Sequence, residues 1–280
     1  MWIHGHASII GEAHENNGIL CQDSSVSKVL RTKKAGEIFL AGVSDGAGSA
    51  KHSHVGSQIV LDTFVTVAKA WIEKTADVDP EHFFQVWFEE CRKRISEKAE
   101  EMNAEFRDFA ATALLVIVWP NRAAFFQIGD GCIIADVFDD GLEKDIPSWV
   151  FWNDRLDVEV NVTTFVTSDD AWSSAECEIY PVRVKNIALF TDGIEHGVMH
   201  NKTQSAHENF FERCFNPLKE RTESDGISAA LKKMLGSPAI SGFSDDDKSL
   251  VLAVRTHESA IGEQRQQSHS TRSKLFQKWW

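Results

Sequence analysis

Five Asp-Gly pairs, beginning at Asp45, Asp130, Asp140, Asp192 and Asp225, stand out among the residues able to do chemistry. Asp-Gly is first of all a turn signal, because both residues tolerate the backbone that reverses a chain. Three of the five differ, since an apolar run leads straight into the acid: Phe39-Leu40-Ala41-Gly42-Val43-Ser44-Asp45, Phe125-Phe126-Gln127-Ile128-Gly129-Asp130 and Ile187-Ala188-Leu189-Phe190-Thr191-Asp192. A strand that stops at an acid delivers it to the rim of a sheet. A fourth acidic cluster, Asp245-Asp246-Asp247, precedes its apolar run, Ser249 to Val254. In an antiparallel sheet the start of one strand lies beside the end of the next, so all four can reach one rim. Carboxylates gathered there repel one another unless cations sit between them. Oxygen donors with no Cys or His at ligand spacing select hard ions, Mg2+ or Mn2+, over zinc. Two such ions about 4 Å apart ionise a bridging water and neutralise the oxygens of a phosphate under displacement. That chemistry is phosphoester hydrolysis.

The elements that must position these acids are legible as short apolar, β-branched runs bounded by turn residues. Glu37 to Val43, Thr112 to Trp119, Ala123 to Ile128, Cys132 to Phe138, Val160 to Val166, Ile187 to Phe190 and Leu250 to Val254 are predicted strands. Pro120-Asn121-Arg122 and Gly129-Asp130-Gly131 separate three of them by turn residues, which predicts an antiparallel meander. Ser53 to Lys74 and His82 to Asn103 carry apolar residues at helical spacing, and a further helical region is predicted near Gln204 to Leu235. Strands and helices in separate blocks predict an α+β fold. No Pro/Gly/Ser-rich linker divides the chain. The expectation is one domain over residues 1–256 and a polar, flexible tail over 257–280, whose end, Leu275 to Trp280, turns apolar again.

Composition narrows the partners. With 42% apolar and 25% charged residues, the 280-residue chain can build a sizeable core. A formal charge of −13 argues against nucleic acid, which needs clustered Lys and Arg. An acidic chain still handles phosphate when metal ions supply the positive charge. Five widely spaced cysteines without a Cys-x-x-Cys pair predict reduced thiols and a cytoplasmic setting. Met1 to His6 lacks the basic-then-apolar order of a signal peptide, and no apolar run approaches the roughly 20 residues of a membrane span. Gly46 to Ser53 lacks the Gly-Lys-Ser/Thr ending of a nucleotide-binding loop, and no Gly-x-Ser-x-Gly elbow supports a serine nucleophile.

In order along the chain, from about Ala7 to Val254, these segments resemble the metal-dependent type-2C protein phosphatases, in particular the compact bacterial branch. His14-Glu15-Asn16-Asn17-Gly18 with Gln22-Asp23-Ser24 resembles the opening motif, and Val43-Ser44-Asp45-Gly46-Ala47-Gly48-Ser49 the central Asp-Gly motif. Ala110-Ala111-Thr112-Ala113, Ile128-Gly129-Asp130-Gly131 and Phe190-Thr191-Asp192-Gly193 resemble the next three, and Asp246-Asp247-Lys248-Ser249 the closing Asp-Asn-x-Thr/Ser element. The resemblance implies a central β-sandwich flanked by helix pairs. It implies a phosphatase acting on phosphoserine or phosphothreonine of a protein, through water activated by two, or with Asp130 three, Mg2+ or Mn2+ ions. Asp45, Asp192 and Asp246 become metal ligands, Gly46 gives its carbonyl, and Asp23 binds directly or through water.

Three positions depart from that pattern. Gly18 stands where the family often has a phosphate-gripping Arg, leaving Lys51 or Arg31 as candidate cations. Gln22 replaces the first acid of the opening pair, and Ala47 replaces a His that serves some members as general acid, although His52 and His54 lie nearby. The departures favour a catalytically weak regulatory or partner-binding module of the same fold. The retained aspartates weigh more for an enzyme, because a binding module has no need to keep repelling carboxylates together.

Overall fold

The computed structural model describes residues 1–32, 36–74, 79–138, 148–149, 163–200 and 205–256. The tail over 257–280 and Asp140 lie outside the described residues. Two five-stranded antiparallel sheets pack face to face, as the α+β sandwich expectation requires. The first contains β1 (Trp2–Ile9), β12 (Lys248–Arg255), β9 (Val184–Phe190), β6 (Cys132–Val137) and β7 (Ser148–Trp149), in that spatial order. The second orders β2 (Ser24–Thr32), β3 (Gly36–Ser44), β4 (Ala113–Val118), β5 (Ala123–Ile128) and β8 (Glu176–Tyr180). Helices α2 (Ser53–Lys74) and α3 (Pro80–Met102) cover the second sheet, while α5 (Glu208–Lys219) and α6 (Ile227–Leu235) cover the first. Short pieces complete the order: α1 (Glu12–Asn16), α4 (Asp192–Val198), a β10–β11 hairpin (Met199–His200 with Ser205–Ala206) and α7 (Pro238–Ser241).

The central strands read as unbroken apolar runs because both of their faces are buried. In β4, Leu114, Val116 and Val118 meet the opposing sheet while Ala113, Leu115 and Ile117 meet helices α2 and α3. In β12, Val251 and Ala253 point between the sheets and Leu250, Leu252 and Val254 towards α5 and α6. Helix α2 buries Leu61, Phe64, Ala68 and Ile72, and α3 buries Phe84, Trp87, Cys91 and Ile95, each set spaced by three or four residues. Trp87 Nε1 donates to the Val60 carbonyl at 3.2 Å, locking the helices together. At 22 residues and mean hydropathy 1.2, α2 is the one described helix long and apolar enough to cross a membrane, but half of that window is buried inside the protein.

Two expectations need correction and a third is refined. The meander stops after two strands: β4 and β5 form a hairpin, but β6 pairs with β9 in the other sheet. Gly129 (φ 88°) and Gly131 (φ 97°) supply the left-handed backbone that carries the chain across. The strand expected over Val160 to Val166 is absent from its described part, 163–166. There the Val166 N–H donates to the Ala111 carbonyl and Arg92 Nη1 donates to the carbonyls of Val166 and Ser168. The helical region near Gln204 to Leu235 is two helices preceded by a short strand, with Gly226 (φ 76°) opening α6.

The crossing glycine is under tighter constraint than the helix-opening one. A Cβ on Gly131 would stand 2.7 Å from the Phe190 carbonyl, whereas one on Gly226 would meet nothing within 4 Å. Gly226→Ala is expected to cost about 1 kcal/mol, the ordinary strain of a positive φ, and Gly131→Ala clearly more. Urea midpoints compare the two, and equal shifts would show that the crossing tolerates a side chain.

Candidate metal centre and active site

Antiparallel register brings several strand ends to one end of the sandwich. Ser24 pairs with Ser44, Ala113 with Ile128, Cys132 and Leu250 with Phe190, and Ile9 with Lys248. The acids that follow or precede these residues therefore share a rim. Asp23 stands just before β2, Asp45 just after β3, Asp130 between β5 and β6, Asp192 at the start of α4, and Asp246 just before β12.

Each acid is held by its own local device. The Asp45 N–H donates to Thr112 Oγ1 at 2.9 Å, its carbonyl accepts from the Thr112 N–H at 2.8 Å, and Gly46 bridges to Ala111. Gly46 must be glycine, because a Cβ there would lie 2.7 Å from the Gln22 carbonyl. Asp23 is 6% exposed, and its Oδ2 accepts from Thr191 Oγ1 at 2.7 Å, while its Oδ1 is buried without a partner. Asp130 Oδ2 accepts from Thr163 Oγ1 at 2.8 Å. The hydroxyl of Thr191 also accepts from the Ser249 N–H at 2.9 Å, tying the Asp192 turn to β12.

The crowding shows in the electrostatics. Burial, and after it the charges of Asp23, Asp192, Asp246 and Asp130, push the Asp45 carboxyl well above the usual carboxylate range. Burial raises Asp192 to about 6, reinforced by Asp130 and Asp246, and raises Asp23 to about 8 against the help of the Thr191 hydroxyl. Without external charge, Asp23 keeps its proton at neutral pH, and Asp45 and Asp192 are pushed towards their neutral forms. Among the described residues Lys248 is the only buried Lys or Arg; its Nζ donates to the Asp246 carbonyl at 2.6 Å. Oxygen donors alone, an orphaned buried carboxylate oxygen and a cluster short of positive charge fit hard divalent cations.

Sequence reasoning missed the role of Asp247. Its carboxylate accepts from the Gly11 N–H at 2.7 Å and the Gln22 N–H at 2.6 Å, and Oδ2 lies 3.0 Å from His14 Nδ1. It thereby ties β12 to the segment that carries Asp23. Nothing in a run of three aspartates says which one turns inward. His14, Asp246 and Asp247 bring one imidazole nitrogen and two carboxylate oxygens within 4.8 Å of one another. Arg31 is removed as a phosphate grip: it pairs with Glu37 at 3.1 Å at the far end of β2, about 25 Å of strand from Asp23. Lys51 is exposed, and Gly18 (φ 67°) faces open space. Ala47 packs with Ala50, Ala110 and Phe165 and has 8% exposure. Nearby, the His52 ring lies 5.4 Å from Phe109 and 6.5 Å from His54. Asp169 and Asp170 are exposed turn residues, and Asp225 lies in an exposed turn.

A helix-flanked antiparallel sandwich with a carboxylate cluster at one rim is the construction of a metal-dependent phosphatase. The family model for protein phosphatase 2C matches residues 10–236, and the chain belongs to that family. It is an enzyme, a phosphatase of the bacterial type. It is 29% identical over 259 residues to serine/threonine-protein phosphatase 3 of Escherichia coli strain K12, covering 90% of this chain and 98% of that one. Among solved structures it is similar to the catalytic domain of a serine/threonine protein phosphatase in complex with two manganese ions, with TM-score 0.57, 14% identity, and 91% and 99% coverage of the two chains. A serine/threonine phosphatase of Staphylococcus aureus gives TM-score 0.56 at 17% identity, over 92% of this chain and 96% of that one.

The raised carboxyls make stability without metal depend on pH in a defined direction. Unfolded aspartates ionise near pH 4, whereas the folded ones hold their protons to about 6 and 8. The folded state then binds more protons than the unfolded one across this window, so its stability falls as pH rises through it. In chelator, the thermal midpoint is expected to drop between pH 5 and pH 8.5. Millimolar Mn2+ should raise it most at the upper end. A midpoint at pH 8.5 that ignores Mn2+ would contradict the assignment of this cluster to cations.

Proposed function

We propose that the chain hydrolyses phosphoserine and phosphothreonine monoesters of proteins, using two Mg2+ or Mn2+ ions held by Asp45, Asp192, Asp246 and the Gly46 carbonyl. Asp23 would complete the set directly or through water, and Asp130 would hold a third ion. The observation that carries this reading is the antiparallel register that brings Asp23, Asp45, Asp130, Asp192 and Asp246, from separate chain segments, to one rim. The family's metal dependence and the named phosphatase of Escherichia coli support it.

Ions in this cluster would supply the charge that ionises water and offsets the phosphate oxygens during direct displacement. The chain's part is to hold oxygens still. Asp45 is fixed through Thr112, Asp23 through Thr191, and the Asp246 backbone through Lys248. No imidazole stands at Ala47 to protonate the leaving oxygen, so the chain relies on solvent for that proton. The net charge of −13 makes a nucleic-acid substrate unfavourable, and five free cysteines suit the reducing cytoplasm, where we place the protein.

Asp45→Asn is expected to lower turnover of nitrophenyl phosphate in Mn2+ by a factor on the order of 10² or more, with an unchanged circular dichroism spectrum. Asp225→Asn, at the exposed Asp-Gly turn, should leave turnover within twofold of the parent. Equal losses would dissolve the distinction between rim and turn aspartates. Excess chelator should abolish activity, and activity that survives it would remove the metal mechanism.

A further inference from the structure

A strap of chain, Thr163 to Ser168, borders the rim and is gripped from outside by helix α3. Thr163 Oγ1 donates to Asp130 Oδ2 at 2.8 Å, Phe165 packs on Ala47, Ala50 and Ala110, and the Val166 N–H donates to the Ala111 carbonyl at 2.8 Å. The strap then closes on itself. The Phe165 N–H donates to Ser168 Oγ at 3.0 Å, and the Ser168 N–H donates to the Phe165 carbonyl at 2.9 Å. Arg92 holds this turn from α3, its Nη1 donating to the Val166 carbonyl at 2.7 Å and to the Ser168 carbonyl at 2.9 Å. The guanidinium carbon stands 4.8 Å from the centre of the Phe106 ring and 5.5 Å from that of Phe88, so aromatic faces set the side chain in place. Bonds donated by a charged, stacked planar group are among the stronger kind.

Asp130 needs a hold of this kind because it stands between Gly129 and Gly131, both at positive φ. Gln127 Nε2 donates to the carbonyls of those two glycines at 3.1 and 3.2 Å, which fixes the backbone of the turn and leaves the direction of the carboxylate to Thr163. Thr163 itself belongs to no helix or strand. Its hydroxyl is therefore only as steady as the strap that carries it, and the strap is fastened three and five residues further on by Arg92. Groups that orient a metal ligand from behind typically contribute about 10- to 100-fold to metal affinity or activity.

We propose that Arg92 is a positioning residue for Asp130, acting through the strap and Thr163, so that a helix outside the rim sets the affinity for the ion at Asp130. The proposal rests on the reading of Asp130 as a ligand of a third ion. The test is Mn2+ titration of the full chain by calorimetry, with a circular dichroism spectrum for each variant; the binding step that Asp130→Asn weakens is the one followed. Arg92→Met, which keeps an apolar stem over the rings and loses both bonds, is expected to weaken that step about 10-fold. Thr163→Val should weaken it by a similar factor, and Thr163→Ser, which keeps the hydroxyl, should restore it. Arg94→Met, at the neighbouring arginine that pairs with Glu90 at 2.9 Å, should leave the step as it is. The double variant decides the route. If Arg92 acts through Thr163, Arg92→Met adds nothing to Thr163→Val, whereas independent losses would multiply to about 100-fold and overturn the proposal. Where Arg92→Met departs from the parent spectrum, Arg92→Lys, a cation without the planar fork, takes its place in the same comparison. If Asp130→Asn weakens no step, the third-ion reading fails and takes the proposal with it. If Asp130→Asn weakens a step that the Arg92 variant leaves at the parent affinity, the third-ion reading stands and the positioning role is overturned.

Discussion

Like charge held at close quarters is the constraint around which this molecule is organised. Asp23, Asp45, Asp130, Asp192 and Asp246 reach one rim from separate stretches of chain, and at Asp23, Asp45 and Asp192 burial removes much of the water that would otherwise screen their repulsion. The sandwich resists this by rigidity. Each acid sits at or within two residues of the end of a strand or helix; Thr112 holds the Asp45 backbone, and the Thr163 and Thr191 hydroxyls donate to the carboxylates of Asp130 and Asp23. Close approach of segments adds to the clamp, since a Cβ on Gly11 or Gly193 would collide with the Asp246 or Asp247 backbone. Lys248 places one positive charge inside the same region and holds the Asp246 carbonyl.

Asp247 shows how the same residue type takes a different task when its surroundings change. Two backbone N–H groups, of Gly11 and Gln22, donate to its carboxylate and bind it into the chain segment that carries Asp23. Its neighbour Asp246 accepts one amide, the Asp247 N–H at 2.8 Å, on Oδ1. The chain thus separates a structural aspartate from one that faces the cluster, within two consecutive residues.

How much of this was legible in the sequence follows from burial. The six central strands, β3, β4, β5, β6, β9 and β12, announced themselves because apolar side chains face both ways. The edge strands β1, β2, β7 and β8 did not. β2 alternates serine and lysine with valine and is mostly half-exposed, and β8 carries Glu176, Cys177 and Glu178 along an outer margin. Polar edges are what discourage pairing with other chains, so the feature that protects these strands is also what hid them. Strand-end aspartates were legible because an apolar run stopped at each, and the rim position of Asp23 came only through family likeness. The inward turn of Asp247, the burial of Lys248 and the crossing at Gly131 depend on long-range contacts that no local pattern encodes.

One feature of the topology bears on when the protein can act. The first strand pairs with the last along its whole length, from Trp2 opposite Arg255 to Ile9 opposite Lys248, and Asp247 grips the amides of Gly11 and Gln22. The rim is closed by the two extremes of the described chain. Until β12 is made, β1 has no strand to pair with in its sheet. A chain interrupted before residue 248 lacks β12, and with it the strand that pairs with both β1 and β9.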